Sequence, residues 1–127
     1  MFLAICMVFS VVGAVPLVAH AAGNVYYVSS TGDDSNSGTS TAEPVGNIYT
    51  AYVKAGDGDI IALMDDITLS QPVTEFNSSK SVTIDGMGHK VTYDGPSIDT
   101  TSRGVFKVNS GNIMFRDMTI DTNCASI

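Results

Sequence analysis

The stretch from Asp59 onward contains seven short segments of β-forming residues, and this constrains the fold more than any other feature. The segments are separated by Gly, Asp, Asn and Ser, which favour turns. They leave no room for crossover helices, so an alternating β-α-β fold is excluded and a sandwich, a barrel or a β-solenoid remains. The predicted strands are Ile60–Met64, Ile67–Val73, Ser81–Asp85, Lys90–Tyr93, Gly104–Val108, Ile113–Phe115 and Met118–Ile120.

Three of these segments recur in the same order at a nearly constant spacing. The recurring pairs, with their spacings, are Ile61 and Val91 (30), Val73 and Val105 (32), and Val82 and Ile113 (31). A solenoid produces such a period, because each coil must place its strands over those of the previous coil. We therefore predict about two coils, in which Ile60–Met64 lies under Lys90–Tyr93, Ile67–Val73 under Gly104–Val108, and Val82–Ile84 under Ile113–Phe115. Met118–Ile120 then opens a third coil.

The apolar residues of these strands predict a shared core. One coil alone cannot close a core, so stacked coils must bury a continuous apolar column. The residues predicted to point inward include Ile61, Leu63, Val82, Ile84, Val91, Tyr93, Phe106, Val108, Ile113 and Phe115.

The sequence of residues 23–58 predicts a strand, a loop and a helix, which precede the coils formed by residues 59–127. Gly23–Ser30 is rich in β-formers, and Thr31–Ala42 is too polar to fold except as a loop held at its ends. Ile48–Ala55 has one apolar stripe at helical spacing, with Asn47 as the N-cap. Because a first coil would expose a bare strand edge and an open core, we expect this helix to cap that end.

Residues 1–22 resemble a secretory signal peptide. Phe2 to Ala22 carries no charge, and Ala19-His20-Ala21 supplies the small residues that precede a cleavage site. No Lys or Arg comes before the apolar run, and an uncleaved membrane anchor is the alternative. Cleavage would remove Cys6 and leave Cys124 alone, which excludes an intrachain disulfide.

The net charge of −7 argues against a nucleic-acid partner, because phosphates are bound by clusters of Lys and Arg. The acidic balance is compatible with an extracellular protein and with bound divalent cations.

The run from Tyr26 to Thr39, which contains Thr31-Gly32-Asp33-Asp34-Ser35-Asn36-Ser37-Gly38-Thr39, resembles the opening of secreted bacterial proteins of the pectate-lyase-like (pectin-lyase-fold) group. Gly58–Leu63, Ser81–Gly86 and Asn112–Ile120 are similar to the motifs of that group's coils. The resemblance implies an all-β, right-handed parallel β-helix, located outside the cell or on its surface, that acts on or binds extracellular polysaccharide.

The resemblance does not give a reaction, because the same scaffold serves lyases, hydrolases, adhesins and structural proteins. Catalytic residues of the group's lyases sit on later coils than those present, so we predict no complete active site. The chain ends at Ile127 without a closing cap, and we expect it to be truncated at its C-terminus.

Paired carboxylates are the best candidates for chemistry. In calcium-dependent lyases of the group, a cation held by acidic side chains neutralises a uronate, and a Lys or Arg removes its proton. Asp33, Asp34, Asp65 and Asp66 are the predicted calcium ligands, since Ca²⁺ is bound by six to eight oxygens. The alternative, which also applies to Asp57 and Asp59, is that these acids only stabilise turns.

No catalytic or cofactor-binding residue is assigned. Five cations could serve as a lyase base, and none stands out: Lys80, Lys90, Arg103, Lys107 and Arg116. We expect Arg116 to pair with Asp85 one coil earlier, and Lys107 to face outward.

Three functions remain open. The first is a segment that binds or presents to extracellular polysaccharide or the cell surface, without catalysis. The second is the N-terminal part of a calcium-dependent, pectate-type lyase, and the third is a structural adhesin stalk. An exposed β-helix edge also predicts self-association.

Overall fold

The computed structural model describes residues 22–70, 74–95 and 105–122, and these form mostly β-structure with one short helix. The strands are β1 (Val25–Val28), β2 (Ile60–Leu63), β3 (Ile67–Leu69), β4 (Thr74–Phe76), β5 (Ser81–Asp85), β6 (Lys90–Tyr93), β7 (Phe106–Val108), β8 (Asn112–Arg116) and β9 (Thr119–Asp121), and the helix is α1 (Ile48–Lys54). The all-β prediction is therefore confirmed. The predicted signal peptide, apart from Ala22, and Cys124 lie outside the described residues.

Within the described ranges, no helix combines the length and apolar character of a membrane-spanning segment.

The strands form three sheets, and every strand pair in them is parallel. Sheet A has the order β1-β2-β5-β8, sheet B the order β3-β6-β9, and sheet C the pair β4-β7. The chain passes through sheets A, B and C in turn and then returns to sheet A. We call each such passage a round: β2-β3-β4 is the first, β5-β6-β7 the second, and β8-β9 the third.

The predicted stacking of the strands is only partly right. Ile60–Met64 was predicted under Lys90–Tyr93, but Ile61 pairs with Ile84 of β5 instead. The physical reason lies in the predicted strand Ile67–Val73. Strand β3 ends at Leu69 and pairs with β6, and a separate strand, β4, begins at Thr74 and pairs with β7. The first round thus returns to sheet A after fewer residues than the predicted constant spacing requires, although it contains three strands.

Other parts of the predicted register are correct. Val82 pairs with Ile113, and Asp85 with Arg116, which lie 31 positions apart. Strand β9 pairs with β6, so the segment predicted as Met118–Ile120 does lie over Lys90–Tyr93.

The helix forms as its sequence predicts. Asn47 Oδ1 accepts a hydrogen bond from Tyr49 N at 2.7 Å, which satisfies one of the free N–H groups of the first turn. Ile48, Ala51 and Tyr52 are buried, and Ala55 ends the helix as a buried cap residue. Residues of α1 contact β1, β2 and β4, so its apolar stripe packs against the strands near the start of the fold.

The polar loop is held at its base by backbone hydrogen bonds. Val45 N donates to Tyr27 O at 3.0 Å, and Ser29 N donates to Val45 O at 2.9 Å. Gly38 lies beside β1, and its carbonyl oxygen accepts a hydrogen bond from Tyr27 N. The loop thus folds back along β1, as predicted for a segment that has no core of its own.

The core runs through the rounds and up to the helix. Its largest fully buried side chains are Val28, Val45, Ile48, Ile61, Leu63, Phe76, Ile84 and Val91. Two predictions need correction. Val108 was predicted inward but is 44 % exposed, because no described strand packs beyond β7. Phe76, whose neighbours are Glu75 and Asn77, was missed as a core residue.

A row of aromatic rings connects the helix with the three rounds. The ring of Tyr52 contacts Phe76 edge-on at 4.7 Å between centroids, and Phe76 stacks on Phe106 at 6.0 Å. Phe106 in turn lies 5.0 Å from Phe115. Such pairs add to the stabilisation from burial alone, so these rings tie each round to the next.

Gly86 lies where the second and third rounds approach each other closely. A Cβ atom at this position would lie 2.3 Å from Met118 Cβ and 2.6 Å from Asp117 O. We predict that Gly86→Ala forces the third round away from the second and lowers the free energy of unfolding by about 1–3 kcal/mol. Urea denaturation measures the change. The control is Gly56→Ala, whose Cβ would meet its nearest atom at 3.4 Å. Equal stability of the two variants would contradict the close approach.

Candidate functional site

Asp65, one of the predicted calcium ligands, fastens the beginning of the polar loop. Its carboxylate accepts hydrogen bonds from Ser29 Oγ and Ser30 N, each at 2.7 Å. Burial raises the pKa of Asp65, but the hydrogen bonds from Ser29 and Ser30 outweigh it and hold the pKa below its usual value. The carboxylate joins the β2–β3 turn to the chain that follows β1.

Asp66 makes the equivalent connection between the first and second rounds. It accepts a hydrogen bond from Lys90 N at 2.9 Å, and His89 Nδ1 lies 3.4 Å from its Oδ1. The hydrogen bond from the Lys90 backbone is the main reason that the pKa of Asp66 lies below its usual value, and His89 adds to the effect.

Asp33 and Asp34 each stabilise the polar loop. Asp33 Oδ1 accepts from Ser35 Oγ at 2.7 Å and from Ser35 N at 2.8 Å, and these bonds lower its pKa. Asp34 Oδ1 accepts from Gly46 N at 3.0 Å, across the base of the loop.

The four acids therefore all have turn-stabilising hydrogen bonds. Among residues 22–70, 74–95 and 105–122, no group of three or more His, Cys, Asp or Glu side chains is placed to hold a metal ion. The calcium site at Asp33, Asp34, Asp65 and Asp66 stays a prediction.

Asp59, which was considered together with Asp57 as a further pair of acids, is buried and holds two segments of the chain together. It is 4 % exposed and accepts from Asn24 N at 2.8 Å and Gly56 N at 2.6 Å. It thus links the segment before β1 to the end of α1. Asp57 accepts from Ser81 N at 2.7 Å, which ties the same corner to β5.

Most of the candidate basic residues pair with carboxylates of a neighbouring round. Lys107 Nζ lies 3.1 Å from Glu75 Oε1, and Arg116 Nη2 lies 2.7 Å from Asp85 Oδ2, as predicted for Arg116. Lys90 Nζ lies 3.9 Å from Asp121. Arg103 lies outside the described residues. The stacking of rounds thus pairs opposite charges across adjacent strands.

Lys80 differs from these cations because it is held by carbonyl oxygens. Its Nζ donates to Tyr52 O at 2.5 Å and to Ala55 O at 2.6 Å, and it lies 4.2 Å from the centroid of the Tyr52 ring. Burial lowers the pKa of Lys80, and the charge of Asp59 partly opposes this. The ammonium group thereby caps the C-terminal end of α1, where positive charge is favoured.

A groove of about 370 Å³ lies beside Lys80, between α1 and the connection from β4 to β5. Residues from both elements line it: Tyr49, Tyr52, Val53, Asn77, Ser78 and Lys80. Tyr52 Oη accepts from Ser78 N at 2.9 Å, so one wall of the groove is fastened to the other. The sequence did not predict this groove, because its two walls are separated by more than twenty residues. We call it the α1 groove.

The hydrogen bonds to Asp65 predict a pH dependence of stability. A carboxyl whose folded-state pKa is depressed stabilises the fold fully above its unfolded-state pKa of about 3.9, and this contribution is lost as the pH falls through the folded-state pKa. We therefore expect thermal stability to fall as the pH drops below about 4, and Asp65→Asn to reduce the acid-sensitive part. Thermal unfolding followed by circular dichroism tests this. The exposed Asp94→Asn is the control, and the same acid response in wild type and Asp65→Asn would refute it.

One comparison with known proteins gives a match. The family model of a pectate lyase-like adhesive domain matches residues 56–126, from the end of α1 through all rounds. None of the curated proteins and none of the solved structures matches the chain. The matched region covers more than half of the chain and includes eight of the nine strands, the Asp65-Asp66 turn and the Asp85–Arg116 pair. The chain therefore belongs to the family of pectate lyase-like adhesive domains.

Proposed function

We propose that this chain is the N-terminal segment of a secreted protein that attaches to extracellular polysaccharide or to a cell surface, and that it has no complete active site. The family match to an adhesive domain carries this proposal. The scaffold is a right-handed parallel β-helix with residues 59–127 as its first coils. The passage of the first two rounds through sheets A, B and C, and of the third through A and B, supports it, because a β-helix repeats its strands in this way.

The surface of the rounds suits adhesion better than catalysis. A lyase needs a basic residue with a free electron pair placed to remove a proton. Lys90, Lys107 and Arg116 each lie within salt-bridge distance of a carboxylate, so these side chains are engaged in contacts between rounds. Stacked rounds also present rows of side chains along a surface that a long polymer can follow.

This proposal predicts binding of an acidic polysaccharide without turnover. We expect the full chain to be retained on immobilised polygalacturonate, and to produce no absorbance of unsaturated product with millimolar calcium. Binding is measured by retention and by calorimetry, and turnover by ultraviolet absorbance. The same assays after chelation show whether calcium at the predicted Asp33, Asp34, Asp65 and Asp66 contributes. Product formed only with calcium would replace the adhesive proposal with the lyase alternative.

We further propose that the last described round associates with a second copy of the chain. Strands β8 and β9 lie at the edges of sheets A and B, and their outer backbone groups have no partner strand in the described part of the chain. Met114 on β8 is 55 % exposed, and Ile120 on β9 is also exposed. Unpaired edges with apolar side chains favour strand addition.

Self-association at this edge predicts a concentration-dependent molar mass in light scattering. We expect Met114→Lys to shift the equilibrium towards monomer, because a charged side chain on an edge strand opposes pairing. Met87→Lys, at an exposed apolar residue in the turn after β5, is the matched control. A monomer at every concentration, or association unaffected by Met114→Lys, would refute the proposal.

A further inference from the structure

We propose that the α1 groove binds one carboxylated sugar unit, a hexuronate, of an extracellular polysaccharide. This inference rests on the proposed adhesive function and names the ligand class and the site. It combines three features of the groove: a fixed cation, an exposed aromatic ring, and polar groups on the opposite wall.

The cation is Lys80. An ammonium group has three N–H donors, and two of those of Lys80 are used by Tyr52 O and Ala55 O. In the described parts of the chain, no carboxylate lies within salt-bridge distance of its Nζ. The third N–H can therefore donate to a ligand. Charge-assisted hydrogen bonds to a carboxylate are stronger than those to neutral acceptors, so a carboxylate is the ligand group that gains most at this position.

The aromatic ring is that of Tyr49. Tyr49 lies on the exposed side of α1 and is 43 % exposed, and its ring centroid is 6.2 Å from that of Tyr52, at an angle of 33°. An exposed ring offers an apolar face together with a polar hydroxyl. The C–H face of a pyranose ring matches the apolar face, whereas an extended acidic peptide has no such flat apolar surface.

The opposite wall supplies a hydrogen-bonding group for a sugar hydroxyl. Ser78 is exposed and offers its side-chain hydroxyl. The Asn77 amide is held within the protein, because its Oδ1 accepts from Asn109 Nδ2 of the next round at 2.5 Å and its side chain also hydrogen-bonds to Glu75. These bonds preform the wall, and a preformed wall reduces the entropy lost on binding.

The size and surroundings of the groove suit a single unit of a chain. Its volume of 370 Å³ lies at the lower end of ligand pockets, about 300–1,000 Å³. Val53 and Tyr49 on its rim are exposed, so neighbouring sugar units can extend into solvent. Because the protein carries a net charge of −7, a polyanion is attracted only at such local cations, and its binding must weaken as salt screens the contact.

The experiment uses the full chain labelled with ¹⁵N and three probes: trigalacturonate, a neutral trigalactose, and a tri-aspartate peptide. We expect trigalacturonate to shift the amide signals of Tyr49 and Ser78–Lys80, with weaker binding at higher salt. Trigalactose should bind at least about tenfold more weakly, since it lacks the charge-assisted hydrogen bond. Shifts confined to other regions, equal binding of trigalactose, or tighter binding of tri-aspartate would each overturn the proposal.

Two variants test the aromatic ring and the cation of the site separately. Tyr49→Ala changes an exposed side chain, and Lys80→Met removes the charge but keeps the length of the side chain. Each should weaken trigalacturonate binding about tenfold or more, while Lys80→Arg and the control Met87→Ala should not. Because Lys80 also caps α1, circular dichroism must show that the variant is folded, and Tyr49→Ala gives an independent test.

The outcome distinguishes this inference from the proposed function. If both variants lose trigalacturonate binding, the α1 groove is the site. If they bind polygalacturonate as wild type does, the groove proposal fails and the adhesive function stands. If the wild-type chain binds no polysaccharide, the proposed function fails with it.

Discussion

Parallel pairing between successive rounds is the interaction on which the rest of the structure depends. A strand of a hairpin bonds to its neighbour in sequence, whereas β5 bonds to β2 and β8, one round before and one round after it. The strands can therefore satisfy their backbone N–H and C=O groups only when neighbouring rounds are in place. The same pairing sets Ile61 beside Ile84 and Ile84 beside Phe115. Hydrogen bonding between strands and burial of the core are thus gained together, and neither is available to an isolated round.

The pairing also organises the surface, because residues at equal positions in adjacent strands become neighbours. Glu75 lies beside Lys107 and Asp85 beside Arg116, so charges that are distant in sequence neutralise one another. The exposed Glu75–Lys107 pair contributes little to stability in water, whereas Asp85 of the other pair is buried. The charge pairs have a larger chemical consequence, since they occupy three of the described cations, whereas Lys80 contacts two carbonyl oxygens and the ring of Tyr52. An acidic chain then has few places at which an anionic ligand is favoured, and the α1 groove is one.

Features that depend on a few neighbouring residues could be predicted from the sequence, and features that depend on the length of a round could not. The helix follows from the Asn47 cap and its apolar stripe, and the pairing of Val82 with Ile113 follows from two similar strands. The partner of Ile61 was predicted wrongly, because the predicted strand Ile67–Val73 was extended across Pro72, which cannot donate a ladder hydrogen bond, whereas β3 ends at Leu69. The α1 groove was missed for a different reason. Its walls meet only after the first round has packed on α1, and Lys80 alone gives no sign of the carbonyls it will contact.

Lys80 contributes at once to the end of α1, to the attachment of α1 to the rounds and to the α1 groove. The carbonyl oxygens at the end of α1 have no partner within the helix, and they carry part of its negative dipole. The ammonium group of Lys80 satisfies two of them, and this offsets the cost of burial that lowers its pKa. The same geometry holds the amine beside the ring of Tyr52 at the wall of the groove. The contact that attaches the helix to the rounds thus also fixes the Lys80 ammonium group in place. Binding of a ligand to this group therefore loses little side-chain entropy, because the long side chain is already ordered.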